Sequence, residues 1–285
     1  MSNIKLNRFK DNLFRYVGLF CTFLGLLVLL VFILDIVVDG VQALDIGFLT
    51  SLPSRKAEDA GILPAWVGSI WIMVLTAFIT FPLGVAAGIH LEEYGKKNWL
   101  TSLLEINIAN LAGVPSIIYG LLGLEIFSRL FGLGPSVLTG SLTLALLILP
   151  IVIVSTREAL KAVPKSLREA SYAMGASKWQ TIWHQVIPAS FGGILTGVIL
   201  ALSRAVGETA PLIVIGALTY VPYLPEHPLD EFTVLPIQIF NWVTRPQQAF
   251  STNAAAAIIV LLALTFFMNG VAIYLRNRHQ NKLKW

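Results

Sequence analysis

Cysteine is almost missing from this chain: Cys21 is the only one among 285 residues, and it falls inside an apolar run. That excludes a disulfide framework, a CxxC redox pair and a thiolate metal cluster. Charge is scarce too, at 13% of residues against roughly a quarter in an average soluble domain, while 56% are hydrophobic. A chain so poor in polar side chains has lipid as its natural solvent. No G-x-x-x-x-G-K-S/T string occurs; the nearest, Gly95-Lys96-Lys97, lacks the first glycine and the hydroxyl, so the chain has no ATP site of its own. Its net charge of +4 is not arranged as a basic stripe interleaved with aromatics, which argues against nucleic acid as partner.

What the sequence does hold is apolar runs of the roughly 20 residues that cross a bilayer. They lie near 17–38, 66–89, 104–128, 136–155, 190–218 and 254–275, and predict an all-α polytopic protein with six transmembrane helices within 17–275. Segments 1–16 and 276–285 flank them. Val41-Gln42-Ala43 follows the first run where a leader would be cleaved, but the run is too long for a leader's apolar core and reads as a span. Of the 20 basic residues, 15 fall on one side of this topology and only Arg55, Lys56 and Arg245 on the other. The positive-inside rule therefore puts both termini, Lys96-Lys97 and the 156–189 loop in the cytoplasm.

Glycine and proline recur within the spans, at Pro82, Gly113, Pro115, Pro150, Gly207 and Pro211, with Gly84-x-x-x-Gly88 and Gly193-x-x-x-Gly197 at small-xxx-small spacing. Such positions allow close helix approach and local breaks, for packing or for a path.

The loop after the fourth run encodes a helical hairpin over 164–188. Ser166 with Glu169, and Ser177 with Gln180, match two capping boxes, and Gly175 between them suits a left-handed residue ending the first helix. Leu167, Ala170 and Met174 recur at helical spacing on the first helix; Trp179, Ile182, Trp183 and Val186 do so on the second. A compact amphipathic pair of this kind either docks a partner or lies on lipid.

The fifth run carries Ser203, Arg204, Gly207, Glu208, Thr209 and Pro211. Arg204 lies about 21 Å along the helix from the run's start at 1.5 Å per residue, beyond easy reach of either interface. Charge at that depth costs about 2.5–3.5 kcal/mol on insertion scales, and is retained where it is paired or lines an aqueous path. Arg204 and Glu208 share a helix face at i, i+4. Either the guanidinium offers a planar fork to an anion, with Glu208 holding it between encounters, or the pair is permanently closed and only fixes packing.

Other residues read as ordinary. Glu125 and Arg129 match an interfacial i, i+4 pair of little energetic weight. Asp35 is close enough to an interface to snorkel, and Trp66 and Trp71 suit interface anchors. His90, Glu92 and Glu93 lack the spacing of a metal-ligand set and read as a solvated helix end. The proline-rich segment 219–252 is a docking surface or a stiff connector.

The segment Glu169-Ala170-Ser171, with Gly175 and Pro188 at fixed distances, resembles the EAA loop of ABC importer permeases, although Ser171, Gln185 and Ile187 depart from the usual pattern. The 203–211 string, SRAVGETAP, resembles the fifth-helix motif of phosphate-specific permeases, as do AGVPSIIYGLLG at 112–123 and FTVLPIQIFNW at 232–242. The last stretch is more similar to the PstA type than to its sister PstC. The resemblance implies a type I ABC importer permease fold and a non-catalytic subunit of a phosphate importer in the bacterial inner membrane. It implies a substrate path at Ser203, Arg204, Glu208 and Thr209, with helix breaks at Pro115, Gly207 and Pro211. Glu169, Ala170, Met174, Gly175 and Ala176 would contact an ATPase. The implied partners are a PstC-like second permease, a dimeric PstB-like ATPase and a PstS-like phosphate-binding protein, with ATP and magnesium held by the ATPase and no cofactor here. Permeases for other oxyanions, a gradient-driven transporter and a membrane scaffold are the competing readings.

Overall fold

The computed structural model describes residues 2–96, 98–217 and 220–280. Lys97, Lys282 and Lys284, read as topology signals, lie outside the described residues, as do the end of the fifth apolar run at 218 and the start of the following loop at 219. Among the described residues the regular elements are helical, apart from one isolated bridge between Ser136 and Glu231.

The long helices are α1 (Ser2–Gly40), after which comes the short α2 (Ile46–Thr50), and α3 (Leu63–Ile89), which ends in a wide π turn at His90–Tyr94. The third apolar run is not one helix. It divides into α4 (Trp99–Leu111) and α5 (Ser116–Gly123), the latter extended by a π segment to Leu130, and the two halves bend by 101°. Pro115 causes the break, because its ring disfavours α geometry at Val114 and it has no N–H to continue the ladder. Then come α6 (Val137–Lys161), α7 (Lys165–Ala173), α8 (Lys178–Thr181), α9 (Ile187–Val206), α10 (Ala210–Val214), α11 (Leu235–Val243) and α12 (Gln248–Gln280). Among the described residues five helices are long and apolar enough to span a membrane, six with the bent pair taken as one span.

Helix α6 is the post around which the bundle is built, with Val137, Leu144, Ile148, Val152 and Leu160 all buried. Both small-residue motifs face it. A Cβ added at Gly84 would meet the Val152 side chain at 2.6 Å, and one at Gly88 would meet Thr156 at 2.7 Å. From the other side Gly193 packs on Ala159, at 2.8 Å for such a Cβ, and Gly197 on Ser155. Glycine thus brings α3 and α9 to backbone distance from α6 on successive turns, where dispersion replaces the hydrophobic drive that lipid cannot supply. In contrast, α1 is exposed along most of its length and joins the bundle at its end, where Gly40 abuts the backbone of Ala255 and Ala256.

The segment after α10 corrects the sequence reading. Residues 232–242 turn inward: Phe232, Leu235, Ile237 and Trp242 are buried, and the Leu235 N–H donates to Ser69 Oγ at 2.9 Å. Trp242 sits between Phe48 and Phe250. Within the segment read from sequence as a docking surface or a stiff connector, this stretch caps one end of the core. Exposure is concentrated at about 222–231 and 243–249, and in the first of these Asp230 accepts from the His227 and Glu226 N–H groups at 2.8 Å each. Those two bonds hold its carboxyl below the usual range. Trp66 is half-buried, and its indole N–H donates to the Leu49 carbonyl at 3.0 Å.

Candidate functional site

Two helix breaks meet inside the bundle. The first is 112–115, where Gly113 and Val114 close tight turns onto the carbonyls of Asn110 and Leu111. Tyr119, on α5, donates its hydroxyl back to the Leu111 carbonyl at 2.8 Å and so satisfies one of the acceptors that the end of α4 leaves open. The second break is 207–209. Here α9 stops at Val206 before the chain reaches Pro211, which takes the second position of α10, where no N–H is needed. Pro211 therefore starts a new helix, whereas the sequence alone suggested that it opened a continuous span. The breaks are locked together by Gly120, whose added Cβ would lie 2.7 Å from Pro211 Cα. Val114 and Tyr119 share a buried cluster with Ala201, Ala205 and Val206.

Arg204, in the last turn of α9, meets Glu208 within the second break, Nε to Oε1 at 3.3 Å. The Arg204 side chain is 43% exposed and that of Glu208 17%. Tyr119 is within electrostatic range of the guanidinium. Among the described residues only Nε of Arg204 has a hydrogen-bond partner, so the two terminal nitrogens keep the fork that suits a tetrahedral oxyanion. Thr209 Oγ1 donates to the Gly207 carbonyl at a long 3.4 Å. Ser203 belongs to a different contact: its hydroxyl lies 2.7 Å from Asn269 Oδ1 on α12 and donates to the Ile199 carbonyl. The structure therefore brings Arg204, Glu208, Thr209, Gly207 and Pro211 together with the Pro115 break, and places Ser203 at the α9–α12 contact.

At the hairpin, half of the capping prediction holds. Ser177 and Gln180 form a reciprocal box, with the Ser177 N–H donating to Gln180 Oε1 at 2.8 Å and the Gln180 N–H to Ser177 Oγ at 3.3 Å. The Ser166 box is absent because Pro164 occupies the N-cap and the helix begins at Lys165, leaving Ser166 as its second residue. Gly175 has φ +84°, the left-handed residue expected there. Glu169, Ala170, Met174 and Gly175 are exposed at the tip, Met174 to 88%, while Ala176 is half-buried. The aromatic stripe splits: Ile182 and Val186 are buried, whereas Trp179 and Trp183 stack on each other at 5.5 Å on the surface. A π turn over Ile182–Val186 shifts the register that simple periodicity assumed.

Sequence reasoning missed an ion-pair network beside the hairpin. Glu92 and Glu93 are not solvated: Glu93 Oε1 meets Arg168 at 2.6 Å, and Glu92 lies 3.5 Å from Arg157, which pairs with Glu105 at 2.6 Å. Arg157, counted above as a topology charge, is buried. The available signal was three carboxylates and two arginines at helix ends assigned to one side of the membrane. Glu125 and Arg129 form the expected exposed pair at 2.9 Å.

The fold and sites can be set beside known proteins. The family model described as "binding-protein-dependent transport system inner membrane component" matches residues 80–280, the broken helices and hairpin included. The chain belongs to this family. It is thus a multi-pass membrane subunit of a binding-protein-dependent transport system, and the family is one of permeases rather than catalytic subunits. Among relatives, a probable ABC transporter permease protein, YqgI, of Bacillus subtilis is 34% identical over 81% of this chain and 83% of its own length. The phosphate transport system permease protein PstA of Yersinia pestis is 32% identical over 90% of this chain and 86% of its own. PstA of Mycobacterium leprae is 34% identical over 92% and 87%. Two solved importers share the fold. An inward-facing MetNI methionine ABC transporter chain has a TM-score of 0.59 at 17% identity, covering 74% of this chain and 94% of the other. A bacterial alginate ABC importer chain has a TM-score of 0.59 at 14% identity, covering 79% and 80%.

Proposed function

We propose that this chain is the membrane-spanning permease subunit, of the PstA type, of an ATP-driven inorganic phosphate importer. The observation that carries this reading is Arg204, half-exposed where two broken helices meet, with both terminal guanidinium nitrogens uncommitted among the described residues. Discontinuous helices that place charge and free backbone at a common point are the usual way transporters build a site in lipid. The one-third identity with PstA permeases over most of the chain supports phosphate as the anion.

In this reading the chain forms half of the path, with Glu208 and Thr209 beside Arg204 and a homologous PstC-like permease supplying the other half. The tip, with Glu169, Ala170, Met174 and Gly175 exposed and Ala176 half-buried, docks on a PstB-like ATPase, which holds ATP and magnesium. The exposed 220–231 segment receives a PstS-like phosphate-binding protein. Both termini face the cytoplasm, as the basic residues suggest.

The test is uptake of labelled phosphate by proteoliposomes holding the full complex, with ATP inside and binding protein outside, for wild type and Arg204→Gln. ATP-dependent uptake that the substitution abolishes while assembly survives supports the reading. Unchanged uptake reduces Arg204 to packing. An assembled, ATP-hydrolysing complex that moves no phosphate, or moves another oxyanion in preference, refutes the substrate assignment.

A further inference from the structure

Glu92 and Glu93 are neighbours on the π turn that ends α3, yet they reach different arginines. Glu93 meets Arg168, which stands in the first turns of α7. Arg168 makes four hydrogen bonds: Nη2 and Nε to Glu93 Oε1 at 2.6 and 3.3 Å, Nη1 to the Val163 carbonyl at 2.8 Å, and Nη2 to the Leu160 carbonyl at 3.0 Å. Leu160 is in the last turn of α6, where a cation suits the helix dipole, and Val163 is in the link that follows it. One guanidinium thus fastens the ends of α3 and α6 to α7, and the Glu93 side chain is only 7% exposed. Leu167 reinforces the joint by packing, as Ile89 does, against the buried cluster of Leu160, Val163 and Val186.

The opposite side of α7 is free, with Glu169, Ala170 and Met174 exposed. A force applied there cannot rotate α7 away from α3 and α6 without leaving Glu93 as an unpaired buried carboxylate, a state that is strongly disfavoured. From α6 the displacement reaches α9, and hence Arg204, through the glycine contacts at Gly193 and Gly197. We infer that Arg168 and Glu93 are a positioning pair, a rigid joint that delivers movement of the hairpin to the transmembrane helices. The inference rests on the reading that a partner ATPase drives this permease.

The joint is tested in the complete reconstituted complex by measuring phosphate uptake and ATP hydrolysis on the same vesicles for wild type, Glu93→Gln, Arg168→Gln and Arg168→Lys. The expected result is retained assembly and hydrolysis, with phosphate moved per ATP falling about tenfold in both glutamine variants, within the usual size of a coupling between sites. Lysine keeps the charge but loses the four-bond fork, so its ratio falls by at least about threefold. It decides the matter if the glutamine variants fail to assemble. An unchanged ratio, or uptake and hydrolysis falling together at constant ratio, overturns the joint.

A second readout does not depend on the substrate: the distance between spin labels at H90C and K165C in a C21S background. It is expected to stay constant on ATP binding when Arg168 is present and to change in Arg168→Gln. An ATP-dependent change with Arg168 present overturns the joint. A complex that hydrolyses ATP without moving phosphate refutes the substrate reading and leaves this distance to decide the joint.

Discussion

Removing Arg157 should destabilise the chain strongly, because two carboxylates share its guanidinium. Its side chain is 9% exposed and its Nη2 faces Glu105 at 2.6 Å and Glu92 at 3.5 Å, carboxylates that are 35% and 22% exposed. Arg157→Leu keeps most of the volume but leaves both carboxylates facing one another without a cation. Breaking a fully buried pair costs about 3–5 kcal/mol, and the partial exposure of Glu105 lets water recover some of it, so the expected loss is about 2–4 kcal/mol. Arg157 also has a buried Nε without a partner among the described residues, so part of its own desolvation is uncompensated. The triple variant Arg157→Leu, Glu92→Gln, Glu105→Gln should therefore recover at least half of the loss, because no unpaired ion remains. The assay is reversible unfolding of the purified chain in mixed micelles of rising SDS fraction, followed by tryptophan fluorescence. A single variant as stable as wild type, or a triple variant worse than the single, would refute the reasoning.

Three further outcomes follow from the packing and capping. Ser177→Ala should cost about 1 kcal/mol of hairpin stability and Ser166→Ala only a few tenths, since only Ser177 caps a helix; amide exchange at Gln180 reports the difference. Gly88→Leu drives a side chain into Thr156 and the Ile153 carbonyl, at 2.7 and 3.1 Å for the first carbon alone, and should cost about 1–3 kcal/mol or abolish membrane accumulation; Gly18→Leu, with open space around it, should do neither. Trp242→Ala should cost about 3–5 kcal/mol by emptying the space between Phe48 and Phe250, read as loss of protease resistance in the 220–250 segment; retained resistance would mean that Trp242 does not hold this stretch to the core.

Much of the architecture was legible in the sequence because lipid imposes a one-dimensional rule. A span must be apolar for about 20 residues and its backbone must bond within the helix, so run length predicts helices without reference to contacts. Gly175 was equally legible, since its left-handed φ is a local property. So was the Ser177 box, which closes within three residues. Ser166 failed for a local reason as well: Pro164 is the stronger start signal, and the serine reading overlooked it.

What the tertiary structure alone decided is which polar groups meet. The 101° bend follows from Pro115, but only packing brings that break against Pro211 and leaves the Arg204 fork open. Ser203 is next to Arg204 in sequence, yet it bonds to Asn269, 66 residues away. Glu93 and Arg168 are 75 residues apart, and nothing in either segment names the other. The physical reason is that a helix records its own periodicity, whereas a hydrogen bond between helices depends on their separation and rotation. Here those were set by glycines on α3 and α9 seating on α6, a choice written into three distant segments and realised only when they pack.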